Sequence, residues 1–283
     1  MAPEALVQPS DADLYRHFYD HEVREQARRR RRARIVNLLG RSVIVAAFLG
    51  LWTAAAAVYP PIIVPSPLAT WRALVTEIGT LAQNTPPTLL EIVLGFLAGS
   101  VLGIGLGALV AQSRWAEIVL RPYLVVSQAV PKVALAPILV ILLGYGLTSK
   151  VTLAALIAFF PLLENTIAGL RRVDLDSLRL LQSLGATRWQ IFTKLRVFCA
   201  LPLVFAGLRI AAVMATLGAI VAEFVAGNRG LGALLVVSMG TFSTPLLYAT
   251  MVVLTALAFS VYLLATWLER KALHRYNLAA PRA

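Results

Sequence analysis

Long apolar runs that recur along most of the chain restrict its fold more than any other feature. A helix needs about 20 apolar residues to cross the hydrocarbon core of a bilayer, and helices satisfy their backbone hydrogen bonds internally, as lipid requires. Only 14% of the residues are charged, against roughly 25% in soluble domains. We therefore predict an all-α polytopic membrane protein with six transmembrane helices, at residues 38–59, 88–111, 118–143, 151–170, 197–224 and 246–267.

The spans divide the chain into three regions. Residues 38–268 form the predicted transmembrane domain, which includes a polar segment at 171–196, and residues 269–283 form a cytoplasmic tail. Residues 1–37 form a cytoplasmic arm, in which Leu14 and Phe18 have the i,i+4 spacing of a helix lying on a membrane surface. A disordered arm that ends in an arginine cluster is the alternative for this region.

Positive charge is distributed very unevenly between the two sides of these spans. With the N-terminus in the cytoplasm, 21 of the 26 Lys and Arg residues fall in cytoplasmic segments, whereas only Arg72, Lys150 and Arg229 fall on the opposite side. Six spans with both termini in the cytoplasm satisfy the positive-inside rule. This topology, together with attraction to anionic head groups, explains the net charge of +12. We expect membrane lipids, and no nucleic acid, as partners.

Glycines and prolines within the spans affect how the helices pack. The second span contains four glycines at a strict four-residue spacing, Gly95, Gly99, Gly103 and Gly107. Small residues at this spacing form a ridge on which a neighbouring helix approaches closely. Prolines interrupt the third and fourth spans, and the resulting bends either shape the bundle or expose backbone along a water-filled path.

The polar segment 171–196 has the pattern of two short helices joined by a turn. Asp174 and Asp176 precede apolar residues at helical spacing, which is typical of a capped amphipathic helix. Gly185 can end that helix in a sharp turn, and a second helix is predicted to begin near Thr187. Two such helices projecting from a membrane would fit a groove on a soluble partner. An ordinary interfacial loop is the alternative interpretation.

Short motifs recur in a fixed order over most of the membrane region. They are Val64-Pro-Ser-Pro67, Leu94-Gly-Phe96, Ser113-Arg-Trp115, Val133-Ala-Leu-Ala-Pro137, Phe160-Pro161, Asn165-Thr166, Ser183-Leu-Gly-Ala186, Ala200-Leu-Pro202, Gly207-Leu-Arg-Ile210, Val221-Ala-Glu223 and Gly230-Leu-Gly232. In this order they resemble the permease subunits of binding-protein-dependent ABC importers, in particular the sulfonate, nitrate and taurine branch. The chain departs from that family's Glu-Ala-Ala triplet, which is Arg179-Leu180-Leu181 here.

The resemblance implies a type I ABC importer permease architecture in the bacterial inner membrane. It implies a homodimer that works with two ABC ATPase subunits and with a periplasmic or lipid-anchored binding protein, which delivers a small anionic or polar organic solute. The implied ATPase-coupling residues are Asp174, Asp176, Arg179, Ser183, Leu184, Gly185, Ala186, Thr187, Arg188 and Trp189. Because the family usually has an acidic residue where Arg179 stands, Asp176 is the alternative acidic contact.

Ionisable side chains within the spans are candidates for the translocation path, because a charge in a membrane is expensive and usually faces a cavity or a partner. The candidates and their polar neighbours are Ser127, Gln128, Lys132, Glu164, Asn165, Arg209 and Glu223. Lys132 replaces a proline common in the family and is therefore the best candidate for contacting an anionic solute. For Arg209 and Glu223 the alternative is a structural role, such as an intramembrane ion pair.

We predict no catalytic, cofactor or metal site, since the sequence shows no nucleotide-binding loop and its one cysteine is Cys199. ATP hydrolysis would belong to a separate ATPase. Two other functions stay open. An ion-coupled secondary transporter would have inverted repeats and a buried carboxylate relay, and no repeat is visible. A non-transporting membrane scaffold would use the 171–196 segment to dock a soluble enzyme.

Overall fold

The computed structural model describes residues 39–40 and 42–275, with the backbone alone at 114, 117, 121, 125, 128 and 275. The described residues divide into two compact units, one that ends at Pro67 and one that begins at Leu68. The predicted surface helix of the N-terminal arm and the end of the predicted tail lie outside the described residues. All regular secondary structure within them is helical.

The first unit contains helix α1, Ser42–Val58, followed by a proline-rich turn. The N–H groups of Ile63 and Val64 donate to the carbonyl of Pro60 at 2.8 and 3.1 Å. Trp52 Nε1 donates to the carbonyl of Pro65 at 3.0 Å. This bond holds the end of the turn against α1.

The second unit is built from α-helices joined by short loops. In chain order these are α2 (Pro67–Thr76, which starts at the unit boundary), α3 (Ile78–Gln112), α4 (Arg114–Ala129), α5 (Ala136–Leu143), α6 (Leu147–Arg171), α7 (Leu175–Ser183), α8 (Arg188–Ile191), α9 (Val197–Ala226), α10 (Leu231–Gly240) and α11 (Thr244–Arg275). A 3-10 turn, Lys132–Leu135, precedes α5, and a π-helical turn, Phe192–Arg196, joins α8 to α9.

Helices α3, α6 and α9 form the centre of the second unit. A fully buried cluster joins Ile92 of α3 to alanines of α6 and α9, including Ala154, Ala158 and Ala215. A second cluster, around Leu231 and Leu254, attaches α10 and α11 to the beginning of α3. The central helices are therefore packed through small side chains, which allow short distances between helix axes.

The glycine ridge of α3 is the surface on which α6 packs. A Cβ added to Gly99 would lie 2.6 Å from the carbonyl oxygen of Ala155, and one added to Gly103 would lie 2.8 Å from both Leu162 Cβ and the carbonyl oxygen of Phe159. Gly95 and Gly107 meet Ala154 and Thr166 in the same way. Backbone atoms of α6 occupy the space that side chains would need, so the two helices can approach this closely only with glycine along the ridge.

Four helical segments of the described residues are long and apolar enough to cross a membrane. They are Ile78–Gln112, Leu147–Arg171, Arg188–Ala226 and Thr244–His274. The third of these joins α8, the π-helical turn and α9. The predicted second, fourth, fifth and sixth spans all lie within these segments.

The other two predicted spans do not match one of these long segments. Within the described residues α1 covers Ser42–Val58, and residues 39 and 40 before it are helical as well. One continuous helix over 118–143 is not found, because α4 ends at Ala129 and α5 begins at Ala136. Val130 between them is extended, with φ −66° and ψ 123°. The cause is Pro131, which lacks an N–H and disfavours helical geometry in the residue before it.

Candidate functional site

The segment between α6 and α9 forms the two short helices that its sequence predicts. Asp174 caps α7: its carboxylate accepts hydrogen bonds from the backbone N–H of Ser177 at 3.0 Å and from the Ser177 hydroxyl at 2.9 Å. Both bonds favour the ionised carboxylate, the bond from the N–H group most strongly. They hold the pKa of Asp174 below its usual value. The cap fixes the residue at which α7 begins.

α7 ends at Gly185 in a left-handed turn. The φ angle of Gly185 is +74°. Its N–H donates to the carbonyl of Gln182 at 3.0 Å, and the N–H of Ala186 donates to the carbonyl of Leu181 at 3.0 Å. These two bonds are the Schellman motif. Nothing lies within 4 Å of a Cβ at this position, so the requirement for glycine comes from the backbone conformation alone.

The second short helix, α8, starts immediately after Thr187, with Arg188 as its first residue. Thr187 Oγ1 accepts from the N–H of Gln190 at 3.2 Å, and Gln190 Oε1 accepts from the N–H of Thr187 at 2.8 Å. This reciprocal pair is a capping box. The ring of Trp189 stacks on that of Phe192 at a centroid distance of 5.8 Å. The prediction that a helix begins near Thr187 is confirmed.

The segment exposes large apolar side chains next to charges. Leu180, Leu184 and Trp189 are 61%, 72% and 69% exposed. Arg179 forms an ion pair with Asp176 across one helical turn, with Nη1 3.7 Å from Oδ1. Such exposed pairs contribute little stability, so both groups can exchange this contact for one with another protein.

A second polar group is buried where α3, α9 and α10 meet. The carboxylate of Glu223 accepts hydrogen bonds from the Thr88 hydroxyl at 2.7 Å and from the backbone N–H of Gly232 at 2.6 Å. Thr88 Oγ1 in turn accepts from the N–H of Leu231 at 2.8 Å. Glu223 is 1% exposed and Thr88 is fully buried. These bonds tie the first turn of α10 to both α3 and α9.

The glycines at this junction leave room for the carboxylate. Gly230 has a φ of +120°, and a Cβ at that position would collide with the carboxyl group of Glu223. A Cβ on Gly232 would lie 2.7 Å from Glu223 Oε2. Asn84 Oδ1 accepts from the N–H of Gly230 at 2.9 Å. These contacts agree with a structural role for Glu223, which was the alternative to a place in the translocation path.

Sequence reasoning missed Asn84 and Thr88. Their signal is spacing: they are four residues apart on α3, and the helical period places them on the same face as Gly95. One face of α3 therefore carries polar side chains near the start of the helix and glycines further along it. Polar residues that continue the spacing of a glycine ridge are a pattern from which both residues could have been identified.

Replacing Thr88 with valine is expected to destabilise the chain by about 2 kcal/mol, because the N–H of Leu231 then lacks its acceptor and one oxygen of Glu223 lacks a donor. Thr250→Val is the matched control, since Thr250 is equally buried and its hydroxyl donates to the carbonyl of Leu246 in its own helix. Denaturant titration in detergent, followed by tryptophan fluorescence, measures both. Equal losses in the two variants would contradict a bridging role for Thr88.

Lys150 and Glu91 form a buried ion pair, with Nζ 2.8 Å from Oε1. The charge distribution of the sequence places Lys150 outside the spans, but the residue lies in the first turn of α6 and is 7% exposed. Its Nζ also donates to the carbonyl of Arg229 at 3.3 Å. Glu91 is 2% exposed, and its Oε2 has no hydrogen-bond partner within the described structure. The pair joins α3, α6 and the loop before α10.

Arg209 forms an ion pair with a carboxylate. This agrees with the structural role that was the alternative to a place in the translocation path. Its Nη1 lies 3.2 Å from Oε2 of Glu269 in α11. Glu269, which the sequence places in the tail, is 5% exposed. Arg209 and Glu223 are thus held in separate contacts with different helices, and the structure does not bring them together.

The remaining path candidates lie around the break between α4 and α5 and on the facing part of α6. Lys132 Nζ is 4.6 Å from the centroid of the Phe160 ring, within the range of a cation–π contact. Glu164, one turn further along α6, is exposed. The amide of Asn165 donates to the carbonyl of Pro161 at 2.7 Å. Ser127 bonds to the carbonyl of Leu124, and the side chain of Gln128 lies outside the described structure.

Residues 99–274 match the family described as "Binding-protein-dependent transport system inner membrane component". The riboflavin transport system permease protein RibX of Chloroflexus aurantiacus is 40% identical over 82% of this chain and 88% of its own. The formylaminopyrimidine transport permease protein ThiX of Halalkalibacterium halodurans is 36% identical over 70% and 79%. The taurine transport system permease protein TauC of Escherichia coli is 32% identical over 78% and 83%.

The fold is also similar to that of solved structures. A chain from inward-facing conformations of the MetNI methionine ABC transporter aligns with a TM-score of 0.60 and 17% identity, over 69% of this chain and 97% of that one. At this level of identity the similarity concerns the fold alone. It agrees with the type of permease architecture that the sequence motifs predict.

Proposed function

Because the chain belongs to the family of binding-protein-dependent transport system inner membrane components, a family of multi-pass ABC importer permease subunits, we propose that it forms the translocation path for a polar organic solute. The solute is delivered by an extracytoplasmic binding protein, and separate ATPase subunits hydrolyse ATP. The observation that carries this proposal is the exposed, doubly capped segment 174–196 between α6 and α9. The chain itself performs no catalysis.

The segment 174–196 is the proposed contact for the ATPase. Leu180, Leu184 and Trp189 offer exposed apolar anchors of the kind that dominate binding energy at protein interfaces. The Asp174 cap, the Gly185 turn and the Thr187 capping box give the two helices a fixed mutual geometry, so little conformational entropy is lost when a partner binds. A rigid segment also transmits displacement of the ATPase to α6 and α9. ATP-bound ATPases must favour one transporter state by a few kcal/mol for this to work.

The working unit is proposed to be a homodimer in the bacterial inner membrane. Each chain crosses the membrane six times, with α1 and the broken α4–α5 segment supplying the two crossings beyond the four long helical segments. Both termini are cytoplasmic, since 21 of the 26 Lys and Arg residues then lie on the cytoplasmic side. A twofold pair would place the path at its symmetry axis.

The solute is proposed to be a polar heteroaromatic compound. The names of two similar permeases, RibX and ThiX, specify riboflavin and formylaminopyrimidine, and both are nitrogen heteroaromatics. Lys132 above the Phe160 ring offers an ammonium and an aromatic surface at one place, which suits a flat, polar solute. Glu164 and Asn165 lie within two turns of the same helix. Arg209 and Glu223 are assigned structural roles here.

Trp189→Ala is expected to weaken binding of the partner ATPase by about 30-fold or more, because truncation of a central aromatic anchor costs about 2 kcal/mol or more. Trp71→Ala is the matched control, since Trp71 is also largely exposed, at 63%, but lies on α2. Co-purification with the tagged full chain and ATP-dependent uptake by proteoliposomes, with riboflavin and taurine as probes, give the two readouts.

The outcomes distinguish the proposed function from the two alternative functions. A chain that co-purifies with no ATPase and transports with an ion gradient alone would be a secondary transporter. A chain that binds a soluble enzyme but takes up neither probe with ATP would favour the scaffold. Equal loss of ATPase binding in the Trp71 and Trp189 variants would show that segment 174–196 is not the contact. Uptake of taurine in preference to riboflavin would contradict the heteroaromatic solute.

A further inference from the structure

A cavity of about 240 Å³ opens between the loop before α6 and the loop before α10. It is far larger than the roughly 15 Å³ that one water requires, so it has room for a side chain of another protein. Its floor includes the buried residues Glu91 and Lys150, and its rim includes the exposed residues Tyr145, Asn228 and Arg229. We call this site the loop cavity.

The loop cavity lies at the opposite end of α6 and α9 from the proposed coupling segment. α6 begins at the cavity with Leu147 and ends at Arg171, just before segment 174–196. α9 begins after that segment and ends beside the cavity at Ala226. The 25 residues of α6 give it a length of about 37 Å, enough to cross a bilayer. With the coupling segment in the cytoplasm, the cavity faces the extracytoplasmic side.

The lining of the cavity carries a net positive charge. The Glu91 carboxylate and the Lys150 ammonium compensate each other, with 2.8 Å between Oε1 and Nζ. The side chain of Arg229 is exposed and forms no hydrogen bond or ion pair within the described residues. Glu223 does not line the cavity, and both of its oxygens accept the hydrogen bonds described above. The cavity therefore favours an anionic group.

Tyr145 adds an exposed aromatic ring to the rim. It stands between Gly144 and Gly146, and a Cβ added to either glycine would meet nothing within 4 Å, so no other part of the described chain covers the loop there. Tyrosine and arginine are enriched at the energetic centres of protein interfaces. Anchoring in the membrane interface is the alternative for an exposed tyrosine. Tyr145 and Arg229, however, reach one cavity from two different loops, which is the arrangement of a docking site.

We propose that the loop cavity receives a carboxylate side chain of the extracytoplasmic binding protein. Arg229 pairs with the carboxylate at the rim, and the ring of Tyr145 packs against the aliphatic part of the inserted side chain. The Lys150 ammonium on the floor adds to the positive potential. A small free anion would gain the charge contact and leave the ring uncovered. The proposal rests on the proposed function, which supplies the binding protein.

A group bound in the loop cavity would act on the two helices that carry the coupling segment. α6 and α9 are packed together near the cavity, where Leu153 and Ala222 belong to one buried cluster. They are packed together again at the other end, where Leu170 and Ala200 belong to a second cluster. The bond from Lys150 to the loop before α10 ties the rim to the first turn of α6. Docking at the cavity would therefore be transmitted to the ATPase contact along both helices.

The test measures the affinity of the binding protein for the full-length chain in detergent, by biolayer interferometry. The probe is the solute-loaded binding protein that supports ATP-dependent uptake in the proteoliposome assay. Arg229→Glu should weaken binding about 30-fold, the usual loss when one partner of a close interfacial charge pair is removed. Arg229→Gln, which removes the charge without reversing it, should weaken binding about tenfold. Tyr145→Ala should also cost about tenfold.

Arg72→Glu is the matched control, because it makes the same charge change on the same predicted side, at an exposed arginine that does not line the cavity. Binding should change by less than about twofold in this variant. The pairing itself is tested by replacing the surface carboxylates of the binding protein with lysine, one at a time. One such variant should restore binding to Arg229→Glu by about tenfold and weaken binding to the unchanged chain.

The outcomes separate this proposal from the proposed function. Equal weakening by the Arg72 and Arg229 variants would overturn the cavity in favour of general electrostatic attraction. Restoration by none of the lysine variants would overturn the carboxylate. Thermal stabilisation by acetate as large as that by the binding protein would show a free-anion site instead. Normal affinity of the cavity variants, with uptake still dependent on the binding protein, would refute this proposal alone. Uptake without any binding protein would refute both.

Discussion

Replacing Lys150 with methionine is expected to destabilise the chain by about 3–5 kcal/mol, which is the usual cost of removing one partner from a buried ion pair. Glu91 is 2% exposed, and its Oε1 accepts from Lys150 Nζ at 2.8 Å. Without the ammonium, a carboxylate stays buried beside a second one, Glu223. The bond from Nζ to the carbonyl of Arg229 is lost as well. Denaturant titration in detergent measures the change.

Two further variants identify the cause of that loss. Lys194→Met removes an equal charge from an exposed lysine and should change stability by less than about 0.5 kcal/mol. Glu91→Leu/Lys150→Met should recover most of the stability, because replacing both members of a buried pair by apolar residues is often neutral. A double variant as unstable as the single one would show that the contact with Arg229, and not the stranded carboxylate, causes the loss.

Replacing Gly103 with leucine is expected to cost about 3 kcal/mol or more, because overpacking forces helices apart. Even a single added carbon would lie 2.8 Å from Leu162 Cβ and from the carbonyl oxygen of Phe159. A backbone oxygen cannot rotate away as a side chain can. The whole of α6 must shift, and with it the buried cluster that α6 shares with α9.

Gly105→Leu is the control for this variant. Gly105 lies two residues further along α3 and has nothing within 4 Å of the added Cβ. Leucine there faces outward and should be neutral or slightly stabilising in a membrane helix. Thermal unfolding in detergent and the yield of monodisperse protein compare the two. Similar behaviour of both variants would mean that α6 does not rely on the ridge.

The local features of the proposed coupling segment could be predicted closely. Asp174, Gly185 and Thr187 each act through hydrogen bonds or backbone angles within a few residues of the chain. Caps and turns of this kind depend on residue type and short spacing, and both can be seen in a sequence. The order of the motifs likewise indicated the correct protein family.

The candidate path could be predicted only in part. Arg209 and Glu223 look alike in sequence, as ionisable residues within apolar runs, yet they bond to α11 and to the start of α10 respectively. Lys150 was expected outside the membrane spans, and its burial against Glu91 could not be foreseen from the sequence. The two residues of such a contact are 59 to 135 positions apart in the chain, and they meet because the helices have particular rotations and crossing angles. Those angles cannot be inferred directly from a single sequence.

The sequence by itself determined the class of protein, the long apolar helices, the caps of α7 and α8 and the glycine face of α3, because each follows from the composition or spacing of neighbouring residues. The break in the run at 118–143 could also have been predicted from the sequence, because its cause, Pro131, acts locally. The tertiary structure alone decided which buried charges pair and how α10 is tied to Thr88 and Glu223. The physical reason is that helix formation is local, whereas the burial and pairing of charge depend on which helix faces come together.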